Sequence, residues 1–294
     1  MSIISPALKK LLNEGRVWTA SRSGTCGGDH RENHCGNHRG AVFERKANSD
    51  RMLCASFDIP EIDDSLPQRG LPFGSTHEFL LDDGLSSRTP YHWHPPLLVL
   101  GAILAHSLAA NGRSSLSSEK ELIAWVGRNC WPAPYLFEQT MKNNGPSAPS
   151  NVLLDRLKFL FLDPPAKAKR LWSTIQILSS PATYAVIADG SAFSMTASRK
   201  LQLAARRGNS VGLILRPPWE SGLLSAASTK WKISPQAPLI NNSQSQLPRF
   251  PQWEVELLRA KGGVSAKTWL IEWYKEDKHG KNCLRLSPPS GSQQ

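Results

Sequence analysis

Five short apolar runs recur through the middle of the chain: THEFLL from Thr76, ELIAWVG from Glu121, LKFLFLD from Leu157, TYAVIAD from Thr183 and SVGLILR from Ser210. Each is nearly continuous rather than alternating, the pattern of strands covered on both faces of a parallel sheet. Segments with helical spacing lie between them, over residues 96–110, 132–143, 166–178 and 194–207. Strands alternating with helices predict an α/β fold with a mainly parallel sheet and crossover helices on its faces. The longest apolar run, LLVLGAILA, stops at His106 and is far short of the ~20 residues a membrane span needs, so it reads as a buried helix.

After Pro217 the pattern changes. SAASTKWKI, QWEVELLRA and TWLIEWY read as strands, with the KGG at Lys261 supplying a turn, which predicts a C-terminal antiparallel extension of the sheet. Residues 234–251, rich in Pro, Ser, Asn and Gln, separate the first of these strands from the other two. The last two are too apolar to stand alone as a hairpin and belong with the core. The ends differ from this body. Residues 1–20 carry a short amphipathic helix over 3–12, residues 21–51 read as a flexible polar linker, the core spans 52–275, and 276–294 reads as a disordered tail. The start of the chain lacks the basic, apolar and small-residue succession of an export signal, which predicts a cytoplasmic protein.

Charge narrows the partners. Thirty-five Lys and Arg against 24 Asp and Glu leave a formal charge of +11, which favours polyanions. The five cysteines are odd in number and scattered, as in a reducing compartment rather than a disulfide framework. Cys26, His30, His34, Cys35 and His38 are of metal-ligating types, but their spacing matches no standard zinc finger, and a polar segment is the plainer reading. No cofactor is implied.

Candidate chemistry is confined to a few places. DDGLSSRTP follows the strand at Thr76, where a phosphate-binding loop would lie. Gly84, Arg88 and Thr89 stand roughly where its glycine, lysine and hydroxyl would be, but the second glycine is missing, the loop is one residue short and Pro90 removes an amide. Asp189 ends the strand YAVIAD, where a carboxylate either serves a ligand or closes a turn with Gly190. In SRKLQLAARRGNS, Ala197, Leu201, Ala204 and Ala205 share one helix face. Arg199, Lys200, Arg206 and Arg207 fall within an adjacent arc of about 120°, available to phosphates, an acidic partner or solvent, and Gly208 ends the helix. Trp131, in WPAPY just past a strand end, is the tryptophan best placed to stack on a base. There is no nucleophile elbow and no Ser/His/Asp arrangement, and the acidic pairs Asp63–Asp64 and Asp82–Asp83 read as turn residues.

FDIPEIDDSLPQRGLPFGSTHEFL, residues 57–80, resembles the opening of the RecA-like core in the ImuA family. Asp58, Pro60, Asp63, Leu66, Pro67, Gly70, Leu71, Pro72, Gly74 and Glu78 fit or nearly fit its pattern, while the opening Gly-Phe and one glycine, here Arg69, depart from it. LIAWVGRNCWPAPYL, RLWSTIQILSSPATYAVIADG, RKLQLAARRGNSVGLILRPPWE and WEVELLRAKGGVSAKTWLIEW continue the likeness in order over residues 57–273. The resemblance implies a RecA-like fold lacking a working ATP site and a non-catalytic adaptor role in SOS-type error-prone translesion DNA synthesis. The partners it implies are an ImuB-like Y-family polymerase relative and an error-prone replicative-type DNA polymerase, with single-stranded DNA and RecA as further candidates. Three alternatives stay open: a RecA-like ATPase or recombinase regulator using Asp189 and an altered phosphate loop, a SulA-like cell-division inhibitor, and a DNA-binding protein with no polymerase partner.

Overall fold

All five central apolar runs form strands in the computed structural model, which describes residues 17–20, 53–82, 93–112, 120–132, 157–236, 251–263, 266–275 and 282–287. The strands are β1 (Val17–Ala20), β2 (Cys54–Ala55), β3 (Leu71–Pro72), β4 (Ser75–Leu81), β5 (Leu122–Val126), β6 (Lys158–Leu162), β7 (Thr183–Asp189), β8 (Val211–Arg216), β9 (Thr229–Gln236), β10 (Gln252–Ala260), β11 (Lys267–Lys275) and β12 (Asn282–Leu286). The helices are α1 (Pro60–Asp63), α2 (Leu97–Gly112), α3 (Lys167–Leu178) and α4 (Met195–Gly208).

Ten strands form one mixed sheet in the order β1-β6-β5-β7-β8-β4-β9-β10-β11-β12, and β2 with β3 makes a separate ribbon. From β6 to β9 the pairs are parallel. β10, β11 and β12 add antiparallel strands on one side, and β1 pairs antiparallel with β6 on the other. The predicted architecture, a parallel α/β core with an antiparallel C-terminal extension, is the one observed.

Among the described residues, helices lie on both faces of the sheet. α3 and α4 pack over Ala124, Val126, Val186, Ala188 and Ile214, while α2 lies with Ile123, Trp125, Ile187, Leu213 and Leu215 on the opposite side. Because β7 and β8 are buried along their whole length, continuous apolar sequence is what their positions require. The extension obeys the other rule. On β9 and β10, Trp231, Ile233, Trp253, Val255 and Leu257 join the α2-side core, whereas Lys232, Glu254 and Glu256 alternate onto the opposite face. The segment that opens the core seals the apolar face. Phe57 packs on Trp231 with ring centroids 5.0 Å apart, and Ile59, Ile62 and Leu66 belong to the same cluster.

Several expectations change. Val17–Ala20, placed with the N-terminal helical segment, is a strand, and Asn282–Leu286, placed in the tail, extends the sheet through β11. β9 runs to Gln236, into the stretch expected to be a connection. α4 includes Gly208, and its left-handed cap is Asn209 at φ 46°. Gly208 permits a close approach instead: a Cβ there would stand 2.1 Å from the Leu178 carbonyl oxygen at the end of α3. The expected helix at 3–12, that at 132–143 beyond Pro132, and the linker at 21–51 lie outside the described residues.

Beneath the sheet junction runs a buried hydrogen-bonded chain. Trp231 Nε1 donates to Thr229 Oγ1 at 2.7 Å, the Thr229 hydroxyl donates to His77 Nδ1 at 2.9 Å, and His77 Nε2 donates to the Pro72 carbonyl at 3.1 Å. This arrangement requires neutral imidazole. Burial pulls the His77 pKa down to about 4, opposed by the Pro72 bond. Between that value and the ordinary ~6.5 the unfolded chain takes up a proton that the folded one refuses. Stability is therefore complete above about pH 6.5 and falls as pH drops towards about 4, by about 3 kcal/mol. Urea unfolding of His77→Gln should lose this component of the pH dependence while wild type retains it. Equal slopes would remove His77 as its source.

Candidate functional site

The carboxyl ends of β5 and β7 bring together Gly127, Asn129, Arg170 and Asp189. Gly127 has φ +98°, and a Cβ on it would stand 2.8 Å from the Cβ of Asp189, so only glycine lets the two strand ends lie this close. Both oxygens of the buried Asp189 carboxylate are engaged. Oδ1 accepts the Ser191 amide at 2.9 Å, closing a turn, while Oδ2 faces Arg170 Nη1 at 3.7 Å and Asn129 Nδ2 at 3.5 Å. Arg170 Nη2 donates to both the carbonyl and the hydroxyl of Ser191, each at 3.0 Å, and the guanidinium lies over the Phe193 ring. This carboxylate fixes the turn after β7. Neighbouring Cys130 is fully buried, and burial followed by the charge of Asp189 raises its pKa well above the usual thiol value, against the pull of Arg170. It is an unreactive thiol.

A second constellation holds that turn from behind. Arg216, at the end of β8, is buried and donates in three directions: Nε to Glu78 Oε1 at 3.0 Å, Nη1 to Glu220 Oε2 at 2.6 Å and Nη2 to the Phe193 carbonyl at 2.8 Å. Glu220 Oε1 accepts the Ala192 amide at 2.7 Å, and Ser225 donates to Glu78 at 2.6 Å. Sequence reasoning found Asp189 but missed Arg170, Arg216 and Glu220. The signal was present in RPPWE: an arginine ending a buried strand, then a proline turn returning a glutamate four positions on.

The cationic arc is as expected. Ala197, Leu201, Ala204 and Ala205 are buried against the sheet, and Arg199, Lys200, Arg206 and Arg207 are exposed. Among the described residues none of the four makes a salt bridge. Helical spacing puts exposed Leu203 at the centre of the arc. Trp131 is only half-buried, yet its ring meets Phe161 edge-on at 5.7 Å and packs against the core. Asp63 sits in α1, where its carboxylate accepts from the Ser56 hydroxyl and the Phe57 amide. Asp82 faces Lys232 at 3.2 Å. Gly84, Arg88 and Thr89 lie outside the described residues, as do Cys26, His30, His34, Cys35 and His38. Among the described residues no group of three or more His, Cys, Asp or Glu could hold a metal ion, and no helix is long and apolar enough to cross a membrane.

Known proteins resemble the chain at two levels. It is 28% identical over 242 residues to Protein ImuA from two strains of Caulobacter vibrioides, NA1000 / CB15N and ATCC 19089 / CIP 103742 / CB 15, covering 79% of this chain and 87% of theirs. The crystal structure of the RadB recombinase aligns with a TM-score of 0.48 and 11% identity, over 80% of this chain and all of that one. No family model matches.

The Arg216 network makes a direct prediction. Arg216→Ala strands two buried carboxylates and should cost about 3–5 kcal/mol of unfolding free energy. The triple change Arg216→Met, Glu78→Gln, Glu220→Gln removes the stranded charges and should recover a substantial part. Urea titration of both variants checks this, and a destabilisation by Arg216→Ala no larger than an exposed substitution gives would mean the pairing is incidental.

Proposed function

We propose that the chain is a RecA-like, non-catalytic accessory protein of DNA-damage tolerance, acting in the cytoplasm as an adaptor in error-prone translesion synthesis. The observation that carries this reading is the colinear 28% identity with Protein ImuA over 79% of the chain. The partners on this reading are an ImuB-like Y-family polymerase relative and an error-prone replicative-type polymerase, assembled on single-stranded DNA, with RecA as a further contact. Two features agree with an adaptor. Asp189, the carboxylate best placed for nucleotide chemistry, is committed to Ser191, Arg170 and Asn129. The solvent face of α4 meanwhile offers four exposed cations in a sequence-independent arrangement suited to phosphates.

Co-expression with an ImuB-like Y-family polymerase relative tests the assignment, and failure to co-purify under conditions where both fold would remove the adaptor role. Nucleic-acid contact is tested separately by fluorescence anisotropy with labelled oligo(dT) across a salt series. Changing Arg199, Lys200, Arg206 and Arg207 to Ala should weaken binding and flatten the log–log salt slope by about 0.7 for each phosphate no longer neutralised. An unchanged slope would take α4 off the binding surface. In the same mixtures ATP should not be hydrolysed above background. Turnover abolished by Asp189→Asn would instead make the protein a nucleotide-dependent recombinase regulator.

A further inference from the structure

The loop after β8 carries three large apolar side chains on its outside. Trp219, Leu223 and Leu224 are 47%, 49% and 78% exposed. Large apolar side chains held in water close together on one loop suit a contact surface. The loop is also braced. The Glu220 carboxylate is held by Arg216 and the Ala192 amide, and Lys230 Nζ donates to the carbonyls of Ser221 and Leu223. Arg259 Nη2 reaches the Ala227 carbonyl at 2.7 Å, and Lys261 Nζ the Ala226 carbonyl at 2.6 Å. A loop fixed this way gives up little conformational entropy when something binds to it.

Beside the leucines opens a pocket of about 400 Å³. Leu223, Leu224 and Leu258 supply apolar walls, Lys230 and Arg259 supply charge, and among the described residues no carboxylate lines it. We propose that this loop and pocket dock a short segment of a partner protein in which large apolar side chains stand beside Asp or Glu. The leucines take the apolar groups, and a carboxylate completes the coordination of Arg259, whose second Nη and Nε are not needed by the Ala227 bond. Burial lowers the Lys230 pKa, so an incoming carboxylate would also relieve a cation held away from water. Nucleic acid suits the surface less, because its most exposed groups are leucines, which offer nothing to a phosphate backbone. A second copy meeting patch to patch would set Lys230 and Arg259 against their own equivalents, which repels.

This surface is distinct from the α4 arc and stands whether or not the chain binds DNA. The test is selection of a phage-displayed random library of peptides about twelve residues long on the full chain. The expected pool combines Leu, Ile, Phe or Trp with Asp or Glu. Its best member, made synthetically, should bind about tenfold more weakly to Leu224→Asp and more weakly as salt rises. Because Leu224 is 78% exposed, that variant should melt with wild type, and the α4 quadruple variant should bind the peptide normally. The proposal is overturned by the absence of an enriched pool, by a basic pool, or by equal binding to Leu224→Asp. It is equally overturned if oligo(dT) displaces the peptide, or if a wild-type dimer in sedimentation dissociates on Leu224→Asp.

Discussion

A guanidinium with 1% of its side chain exposed must be answered on every side, and the groups that answer Arg216 tie together parts of the chain far apart in sequence. Glu78 comes from the middle of β4, Phe193 from the turn after β7, and Glu220 from the turn after β8 itself. Removing charges from water costs several kcal/mol per ion, and close pairing offsets that cost here even though Glu78 Oε2 is left buried without a hydrogen bond. The network therefore acts as a condition on the fold: β4 and β8 must pair in register, and the two turns must close against them. The Asp189 turn, sharing Ala192 and Phe193 with this network, inherits its position from it.

The sheet changes character where β4 meets β9. On the β8 side both faces are roofed by helices. On the β9 side one face is sealed by α2 with the segment around Phe57, and the other carries alternating charge. Trp231 sits at that boundary, fully buried, with its indole N–H entering the chain of bonds that ends on the Pro72 carbonyl. One aromatic side chain thus joins the opening segment of the core to the extension, and the extension is part of the core rather than an appendage.

Most of the architecture was legible because its signal is local. Val186 and Leu213 sit in unbroken apolar runs, and Trp253 and Val255 in an alternating one, and each pattern dictates how many faces are covered. The cations of α4 were legible for the same reason, since helical spacing separates them from Leu201 and Ala205. What could not be read depends on partners distant in sequence. VWTA carries β-forming Val, Trp and Thr but is only four residues long, too short to stand out beside the helical pattern before it, and becomes a strand by pairing with β6. Glu78 and Arg216 are 138 residues apart, and nothing near either announces the other. Gly208 looked like a helix terminator and is instead a clearance for Leu178, a role visible only once two helices are packed.

The burial of cations alters what the formal charge of +11 means for a polyanion. At long range every charge counts, buried or not, so the whole excess draws an anionic polymer inward. At contact, only a side chain that can touch a phosphate displaces a condensed counterion. Lys120, Lys230 and Arg216 are buried and commit their donors to carbonyls or carboxylates. The molecule therefore attracts with one number and grips with a smaller one. Its encounter rate with a polyanion follows the total, while the ions released on binding follow the subset of cations left on its outer faces.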